Sequence, residues 1–577
     1  CFLIRHERLR KSYEQFFERF PRMNMPPNGL AFHWHGIDPQ GVKMIELEFP
    51  ATTSTPERRV ILEAVYPSRP VVPELLEKAP ARFFPFIDRY GQYKHAGWPG
   101  KIRNDDDLQR SLKREDAQLA QYPAAPGRSR FGGDLHGPRL KGTGRFRVKK
   151  LNGRWFLVDP EGYLFWSAGI CFVGRTLAST EVKTRRHFFE DLPATDSAFA
   201  RFYSRQNRYF NHAQANLFRK YGPDYVSVYQ ERCLRRVKSW GFNTLGCWSV
   251  SPAAHTREKD KVPYTLFIDW PWRFPRPRVN EKLQDVYHPE WKRRLFAEFS
   301  EKARLYRNDP WLIGIFVNNE LYWGNPNEFV AQLLSHPGRM AGKTRFVHFL
   351  KQRLGRIERL NQLLQTSFSG WQQIETGKLP PRVKLTALSH LNEEYYLQMC
   401  EDYFRTIREA MDRFFPGVLY LGCRWHGRHA NRYVVSVGAK YIDVLSFNHY
   451  GDDAGSLPFE PSTLSIDKPF LISEFHFGAL DRGVFGVGLN FASDQRHRGE
   501  RYRLYVESAL HRKHCVGAHW FMMADEATAG FNDAENYNCG FLSIADQPYE
   551  EFIRQVRMCN YSLYQRLLGR SARRSSH

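Results

Sequence analysis

The chain has 577 residues, of which 42% are hydrophobic and 25% are charged, and its formal net charge is +24. This composition indicates a soluble globular protein with room for one large domain and a smaller one. No apolar stretch approaches the roughly 20 residues that a membrane-spanning helix needs. The positive charge fits an acidic polymer such as a sulfated polysaccharide, or a generally Arg-rich surface. No zinc finger, zipper or RNA-binding signature accompanies it, so we do not predict nucleic acid as a partner.

Metal and cofactor sites are not indicated by the sequence. The nine cysteines are scattered without CxxC pairs, which argues against a zinc cluster and against a disulfide framework. His33 and His35, and likewise His426 and His429, are spaced like loose metal ligands, but no carboxylate or cysteine has a fitting spacing. We therefore predict neither a metal ion nor a cofactor.

The first 140 residues differ in pattern from the rest of the chain. Residues 1–79 contain short alternating segments, and we interpret them as a small, incomplete β-sandwich-like domain. Residues 80–140 are polar and irregular, with a helix start at Asp105–Asp107. Because their aromatic side chains would be costly to expose, we predict a connecting segment packed on the main domain. The predicted N-terminal strands are Leu30–His35, Lys43–Phe49 and Val60–Val65.

Helix and strand signals alternate over residues 141–570, and residues 571–577 form a basic tail. The region opens with a predicted hairpin whose Asn152–Gly153 pair is typical of a two-residue turn. The predicted strands are Leu164–Val173, 242–249, Tyr264–Asp269, Ile313–Val317, Val418–Cys423, Asp443–Asn448, Phe470–Glu474 and Val516–Phe521. The predicted helices are Tyr225–Lys238, Pro289–Arg307, Glu393–Phe415 and Glu550–Leu568, with a helical insertion at about 325–390.

Eight strands that alternate with helices indicate an α/β fold of the (β/α)8 TIM barrel type. The alternative is a doubly wound open sheet. Such a sheet would normally show a glycine-rich phosphate-binding turn after an early strand, and none is present.

Two of the predicted strands end in glutamates. Asn319 and Glu320 follow the fourth strand, and Glu474 ends the seventh. The carboxyl ends of barrel strands meet at one face, where barrel enzymes place their chemistry. A single glutamate in such a place is usually a surface ion-pair partner. Two of them, each with polar or aromatic companions, predict the paired carboxyl groups of a glycoside hydrolase.

The surroundings suggest different roles for the two carboxyl groups. Glu320 suits the general acid, because burial against Trp323 and the charge of Glu474 would raise its pKa. Glu474 suits the nucleophile, which must stay ionised, and Arg424 and Tyr450 are candidates to stabilise its charge. In a retaining hydrolase the two carboxyl groups would lie about 5 Å apart.

Longer stretches carry a resemblance to a known family, in order over about residues 80–560. They are PFIDRYGQYKHAGWPGK (85–101), GRFRVKKLNGRWFLVDPEG (144–162), SWGFNTLGCWS (239–249), SEFHFGALDRG (473–483), GAHWF (517–521) and NDAENYNCGF (532–541). With the two glutamate strand ends, the chain resembles the β-agarase family of clan A glycoside hydrolases, glycoside hydrolase family fifty. The resemblance implies a retaining hydrolase of β-galactosidic bonds in agarose-type red-algal galactans. It also implies an N-terminal carbohydrate-binding-module-like β-sandwich, of which residues 1–79 look like a part.

The resemblance also implies residue roles and a location. It makes Glu320 the general acid/base and Glu474 the nucleophile of a double displacement. It implies a secreted or periplasmic bacterial protein whose signal peptide is not present in this chain, and it leaves the oligomeric state unknown. The predicted sugar-binding residues are Asn319, Trp248, Trp323, Arg424, Asn448, Tyr450, His476, Trp520, Asp525, Glu535 and Asn536.

The chain departs from the family pattern near three strands, for example at Cys247 and at Met522–Asp525. Polar sugar contacts are missing there, so a sulfated galactan of the porphyran or carrageenan type is an alternative substrate. Arg175, Arg424 and Arg428 are the candidates for contacts with sulfate. An exo-β-galactosidase is another alternative, and a non-catalytic sugar-binding protein is an alternative of a different class. The sequence leaves endo and exo action open.

Overall fold

The computed structural model of the chain describes residues 18–27, 74–250, 261–269, 278–380, 383–427 and 429–569. The three predicted N-terminal strands lie outside the described residues, as do Arg428 and the predicted basic tail. The N-terminal β-sandwich-like domain and the domain boundaries therefore stay predictions.

A β-hairpin precedes the main sheet. Strand β1 (Arg147–Leu151) pairs in antiparallel with β2 (Arg154–Val158), and β2 pairs in antiparallel with β3 (Leu164–Phe165). The turn residues Asn152 and Gly153 have φ of 48° and 76°, and positive values at both positions are what a two-residue type I′ turn requires. The predicted hairpin is confirmed.

Nine parallel strands form the main sheet of the described residues. The strands that follow β3 in the chain, of both the main sheet and a smaller one, are β4 (Ser167–Ile170), β5 (Ser179–Glu181), β6 (Tyr203–Ser204), β7 (Tyr209–Asn211), β8 (Thr244–Leu245), β9 (Tyr264–Ile268), β10 (Leu312–Val317), β11 (Leu419–Tyr420), β12 (Trp425–His426), β13 (Leu445–Asn448), β14 (Phe470–Phe475) and β15 (Cys515–Trp520). The order in the main sheet is β11-β10-β9-β8-β4-β15-β14-β13-β12. Strands β5, β7 and β6 form a small antiparallel sheet of their own.

The two outer strands of the main sheet, β11 and β12, belong to one short piece of chain. Strand β11 pairs with β10 and β12 pairs with β13, both in parallel. Between them Gly422 and Arg424 have φ of 78° and 54°. Strand β11 lies within the strand predicted at Val418–Cys423, and β12 follows that predicted strand. The sheet therefore curls until its two edges meet in a single segment, which fits a TIM-like barrel.

Helices alternate with the strands of the main sheet. They are Glu74–Lys78, Pro80–Phe83, Asp105–Gln121, His212–Tyr221, Tyr225–Ser239, Pro289–Tyr306, Pro326–Ser335, Ala341–Leu354, Ile357–Leu364, Trp371–Thr376, Ser389–Phe414, Arg432–Gly438, Gln495–His511, Glu550–Tyr561 and Leu563–Leu567. The helix Pro289–Tyr306 buries Trp291, Leu295, Phe299 and Ala303, whose spacing of four residues places them on one face. The predicted insertion is helical, and the predicted last helix is divided in two. No described helix is long and apolar enough to cross a lipid bilayer.

The helix Asp105–Gln121 of the predicted connecting segment is joined to the main domain by a buried ion cluster. Arg236, which is fully buried, donates from Nε to Glu115 Oε1 over 2.6 Å and from Nη1 to Asp546 Oδ1 over 2.7 Å. Lys220 Nζ donates to Asp546 Oδ2 over 2.8 Å. Three parts of the chain that are distant in sequence therefore share one set of buried charges.

Residues 18–27 lie against the loop that follows β15. Asn24 N donates to Ala534 O over 2.7 Å. Met25 N donates to Asn536 Oδ1 over 3.0 Å, and Asn536 Nδ2 donates back to Met25 O over 2.7 Å. Hydrogen bonds therefore hold residues 18–27 against the loop between β15 and the helix Glu550–Tyr561.

Candidate active site

Five non-glycine residues with a left-handed backbone mark one end of the main sheet. They are Phe172 after β4, Trp248 after β8, Asn318 and Glu320 after β10, and Arg424 between β11 and β12, with φ of 58°, 59°, 65°, 49° and 54°. This conformation is uncommon outside glycine and costs about 1–3 kcal/mol per residue. Backbone strain of this kind collects at functional sites, and this end of the sheet is the carboxyl end, where barrel enzymes carry theirs.

Glu474 lies in β14 and is 4% exposed. Tyr450 Oη donates to Glu474 Oε2 over 2.5 Å. The Arg424 guanidinium donates to Glu474 Oε1 and forms a buried ion pair with it. Both oxygens of this carboxyl group are thus bound by groups that favour its charged form. Arg424 and Tyr450 are the two residues that were predicted from the sequence to contact it.

Burial raises the pKa of Glu474 to about 7, against the lowering effects of Arg424 and of the Tyr450 hydrogen bond. The charge of Glu320 acts in the same direction as burial. The two carboxyl groups are therefore close enough to influence each other's protonation. In the unliganded site Glu474 exchanges its proton near neutral pH.

Glu320 follows β10, and its side chain is 21% exposed. Asn448 Nδ2 donates to Glu320 Oε1 over 2.9 Å, and Lys282 Nζ lies 3.6 Å from Glu320 Oε2. Ser473 Oγ donates to Asn448 Oδ1 over 2.7 Å, which directs the NH2 group of that amide toward the carboxyl group. Each oxygen of Glu320 therefore has a positively polarised neighbour.

The pKa of Glu320 moves in the direction opposite to the prediction. Burial raises this pKa, but His426, Lys282 and the Asn448 amide outweigh burial and hold it below the ordinary glutamate value. The prediction included burial and the charge of Glu474, both of which raise the pKa. It did not include Lys282, which the loop before the helix Pro289–Tyr306 places beside this carboxyl group. The pKa values of the two carboxyl groups are therefore shifted in opposite directions, and Glu474 has the higher one.

Two asparagines and Arg424 connect the carboxyl groups to each other. Asn319 Oδ1 accepts from Arg424 Nε over 2.9 Å and from Asn448 Nδ2 over 3.2 Å. Arg424 also binds Glu474, and Asn448 also binds Glu320. The network joins residues from four neighbouring strand ends, so the relative position of the two carboxyl groups is fixed by the sheet itself.

Partly exposed aromatic rings lie beside this network. Trp248 stacks on Phe172 with 4.9 Å between ring centroids, and Phe521 meets Phe172 edge-on at 5.7 Å. The Arg424 guanidinium carbon lies 4.6 Å from the centroid of the Trp248 ring. Apolar walls with a few convergent polar groups are the general design of a small-molecule site. The predicted contact at Trp248 is thus placed next to the carboxyl pair.

Trp520 does not line this cleft. It is fully buried, its Nε1 donates to Cys539 O over 2.7 Å, and its ring lies 5.0 Å from that of Phe552 in the outer helix Glu550–Tyr561. Side chains alternate between the two faces of a strand, so the next residue, Phe521, points the other way. The ring of Phe521 lies 6.1 Å from the ring of His476. The aromatic residue that the eighth strand presents to the site is Phe521.

Several other predicted sugar contacts are also buried in the structure. Trp323 is fully buried and stacks on Phe404 at 5.6 Å. Asp525 is buried and accepts from Asn538 Nδ2 over 2.9 Å. Asn536 is buried against the N-terminal segment. These contacts hold the three side chains in the structure around the cleft.

Glu535 is partly exposed in the loop after β15. Burial and Asp533 raise its pKa, and the charges of Glu320 and Glu474 act in the same direction. The structure therefore places this predicted sugar contact within electrostatic reach of the pair. Burial and the charge of Glu535 also raise the pKa of its buried neighbour Glu526.

The cations proposed as sulfate contacts are placed differently from one another. Arg175 is exposed in the loop after β4, whereas Arg424 is fully buried and paired with Glu474. Arg428 lies outside the described residues. The rings of His426 and His429 lie 5.3 Å apart, but no group of three or more His, Cys, Asp or Glu side chains in the described part of the chain could hold a metal ion.

Four residues near the site were not assigned to it from the sequence. Phe521 directly follows Trp520, and Phe172 lies within the predicted strand Leu164–Val173. A correct assignment of which strand residues face the site would therefore have found both. Asp269 follows β9 directly, as a carboxyl group at a strand end, and burial raises its pKa to about 6 against the effect of Lys282. Lys282 lies in irregular structure, where no sequence pattern marks it.

Known proteins resemble the chain over most of its length. No family model matches it. It is 29% identical over 593 residues to β-agarase B of Vibrio sp. strain JT0107, an alignment that covers 94% of the chain and 61% of that relative, so the chain spans less than two thirds of this protein. Among solved structures, an exo-β-agarase has a TM-score of 0.76 and 29% identity, covering 84% of the chain and 74% of its own. The agarase AgWH50C has a TM-score of 0.74 and 31% identity, covering 85% of the chain and 74% of its own.

Proposed function

The chain belongs to the β-agarase family of clan A glycoside hydrolases, glycoside hydrolase family fifty, and from this premise we propose that it hydrolyses β-galactosidic bonds in agarose-type galactans. The proposed reaction is a double displacement. Glu474 attacks the anomeric carbon while Glu320 protonates the leaving oxygen, and Glu320 then removes a proton from the water that releases the sugar from Glu474. We also propose that the curled sheet is a complete (β/α)8 barrel that follows a carbohydrate-binding-module-like domain.

The observation that carries this proposal is the unequal environment of the two carboxyl groups. Arg424 and Tyr450 bind Glu474 through both oxygens, which suits a carboxylate that gains and loses a bond to the sugar. Glu320 has a partly exposed side chain and can reach a ligand. Because Asn319 accepts both of its bonds through Oδ1, its NH2 group is the one that can donate to a sugar hydroxyl.

The single proton of the pair must lie on Glu320 when the reaction begins. Before the substrate binds, the higher pKa of the two belongs to Glu474, at about 7, and that of Glu320 is held below its ordinary value. The glycosidic oxygen accepts a hydrogen bond from a protonated Glu320, and attack on the anomeric carbon requires an ionised Glu474. Binding of the substrate therefore favours transfer of the proton from Glu474 to Glu320.

The proposal is tested with two variants and two substrates. Glu474→Gln should lose activity on agarose oligosaccharides and on an aryl β-galactoside, because both need the nucleophile. Glu320→Gln should lose about 10²–10⁴-fold on oligosaccharides and much less on an aryl galactoside whose leaving group needs no proton. Equal activity of the wild type and Glu474→Gln would contradict the assignment. Detection of the first-formed anomer by NMR distinguishes retention from inversion.

A sulfated galactan is the second candidate substrate, and one observation favours it. The Lys282 side chain is 34% exposed beside Glu320 and is available to a sulfate group, in contrast to the buried Arg424. Porphyran and carrageenan oligosaccharides, each compared with its desulfated form, would show a preference that Lys282→Met abolishes. A non-catalytic sugar-binding protein would retain oligosaccharides without cleaving any of them.

Two further properties follow from the proposed substrate. A polymeric galactan is met outside the cytoplasm, so we keep the prediction of a secreted or periplasmic protein. The size distribution of products over time decides the mode of action, because an exo enzyme releases one short product from the start and an endo enzyme first gives a ladder of sizes.

A further inference from the structure

Two exposed apolar side chains lie in the loop that follows β14, the strand of Glu474. Leu489 is 36% exposed and Phe491 is 54% exposed. One exposed apolar residue is ordinary on a protein surface. Two of them on one short segment beside a candidate active site indicate a surface that binds something.

The segment that carries this pair is fastened to residues around the nucleophile. Leu489 N donates to His476 Nε2 over 2.9 Å, and the His476 ring lies 5.1 Å from the ring of Tyr450. Asn490 Nδ2 donates to Gly451 O over 2.8 Å, which fixes the segment to the loop after β13. His476, predicted as a sugar contact, is itself buried and here supports the segment from below.

Gly488 allows the close approach between the segment and His476. Its φ is 72°, and a Cβ at this position would lie 2.1 Å from His476 Nε2. On the other side, Gly478 N donates to Asn490 O and Ala492 N donates to Gly478 O, each over 2.8 Å. The backbone is therefore held on both sides while the two apolar side chains point outward. A rigid backbone with exposed apolar groups is what a preorganised binding surface requires.

We propose that Leu489 and Phe491 form an outer sugar subsite, which packs against the C–H face of a galactan ring beyond the two rings between which the bond is cleaved. This proposal rests on the proposed function and extends it along the polymer. A galactan chain is the occupant that fits, because contacts through His476 and Tyr450 place the segment beside the nucleophile. The two side chains carry no charge, so they contribute an apolar contact and no ion pair. A second copy of this protein is the competing occupant.

The test compares substrates of different length in the full chain. In the double variant Leu489→Ala/Phe491→Ala, kcat/KM for an agarose hexasaccharide should fall about tenfold relative to kcat/KM for an aryl β-galactoside, which is too short to reach the subsite. A tenfold change corresponds to about 1.4 kcal/mol. Phe491→Trp should keep the preference for long substrates. Leu305→Ala, at a side chain that is 67% exposed on the helix Pro289–Tyr306, is the matched control and should leave the ratio unchanged.

Several results would overturn the subsite. An equal loss on both substrates would indicate a role in folding of the loop, and an unchanged ratio would indicate no role. A dimer in sedimentation that the double variant converts to a monomer would assign the surface to self-association. Hexasaccharide affinity is also measured in Glu474→Gln with and without the double substitution. If the wild type cleaves no galactan, the proposed function fails, while this binding comparison still decides on the subsite.

Discussion

Lys282 is the residue that most changes the expected chemistry of Glu320. Lys282→Met removes a positive charge that lies 3.6 Å from Glu320 Oε2, so the pKa of Glu320 should rise. Below this pKa the carboxyl pair takes up a second proton and Glu474 is no longer an ionised nucleophile. The low-pH limb of the kcat/KM profile on an aryl β-galactoside should therefore move to higher pH. Lys282→Arg keeps the charge and should keep the limb, and a limb that moves to lower pH in Lys282→Met would contradict the assignment.

Arg424 affects the high-pH limb of the kcat/KM profile on an aryl β-galactoside. Arg424→Met leaves Glu474 buried without its cation, so the pKa of Glu474 should rise above its present value of about 7. The high-pH limb, where the pair loses its last proton, should then move upward. We expect kcat/KM to fall about 10²–10³-fold, as for other losses of one preorganised stabilising group. Arg424→Lys retains the charge without the bond to Asn319 and should be intermediate. Unchanged kinetics in the Met variant would exclude this role.

For individual residues, the sequence was informative where a reactive side chain lies at the end of a predicted strand. Glu320, Glu474 and their neighbours Arg424 and Tyr450 follow predicted strands, and the structure brings them together. The prediction failed for Trp520, because which of two adjacent residues faces the cleft depends on strand register. A shift of one residue moves a side chain to the opposite face.

Among the elements, the helix Asp105–Gln121 depends on the buried cluster around Arg236. Arg236→Met would leave the carboxylates of Glu115 and Asp546 buried without their main partner, and removal of one member of such a pair costs about 3–5 kcal/mol. The midpoint of urea-induced unfolding should fall accordingly. Arg114→Ala breaks an exposed pair with Glu550 and should cost about 1 kcal/mol or less. Equal effects of the two substitutions would show that the cluster does not stabilise the fold.

Local sequence signals account for some elements and not for others. The Asn152–Gly153 turn was predictable because both residues accept positive φ, and the helix Pro289–Tyr306 because its apolar residues recur at helical spacing. The break between β11, which lies within the fifth predicted strand, and β12, which follows that strand, was not predictable. It depends on the left-handed backbone of Gly422 and Arg424, and an arginine gives no sequence signal for that conformation. It also depends on the pairing of this one segment with two different strands, β10 and β13.

At the scale of the whole molecule, Asn536 joins residues 18–27 to the loop between β15 and the helix Glu550–Tyr561. Asn536→Ala removes its bonds to Met25 and to Thr528 O, the latter 3.1 Å long, and leaves buried groups unpaired at about 1–3 kcal/mol each. We expect faster amide exchange at residues 20–27 and a severalfold lower kcat/KM, because the same loop carries Glu535. Asn532→Ala, at an exposed side chain of this loop, is the control. Unchanged exchange in Asn536→Ala would show that the contact does not hold the segment.

The curled parallel sheet with its helices could be predicted, since predicted strands alternate with helices along the sequence. The contact between Met25 and Asn536 could not, because its partners are 511 residues apart and no periodic pattern links them. Sequence patterns report neighbours within an element or between successive elements. Contacts between the two ends of a chain depend on how the finished surfaces fit.

The attachment of residues 18–27 also has a consequence for how such proteins recombine. Here a cut between residue 27 and the barrel would bring in a foreign segment opposite Asn536, and the loop of Glu535 would lose the surface to which it is matched. A chimera that retains its activity should therefore have its crossover before residue 18, or should exchange the loop and the segment together. We therefore expect the two to function only when they are exchanged together, although their contacting residues are 511 apart in the sequence.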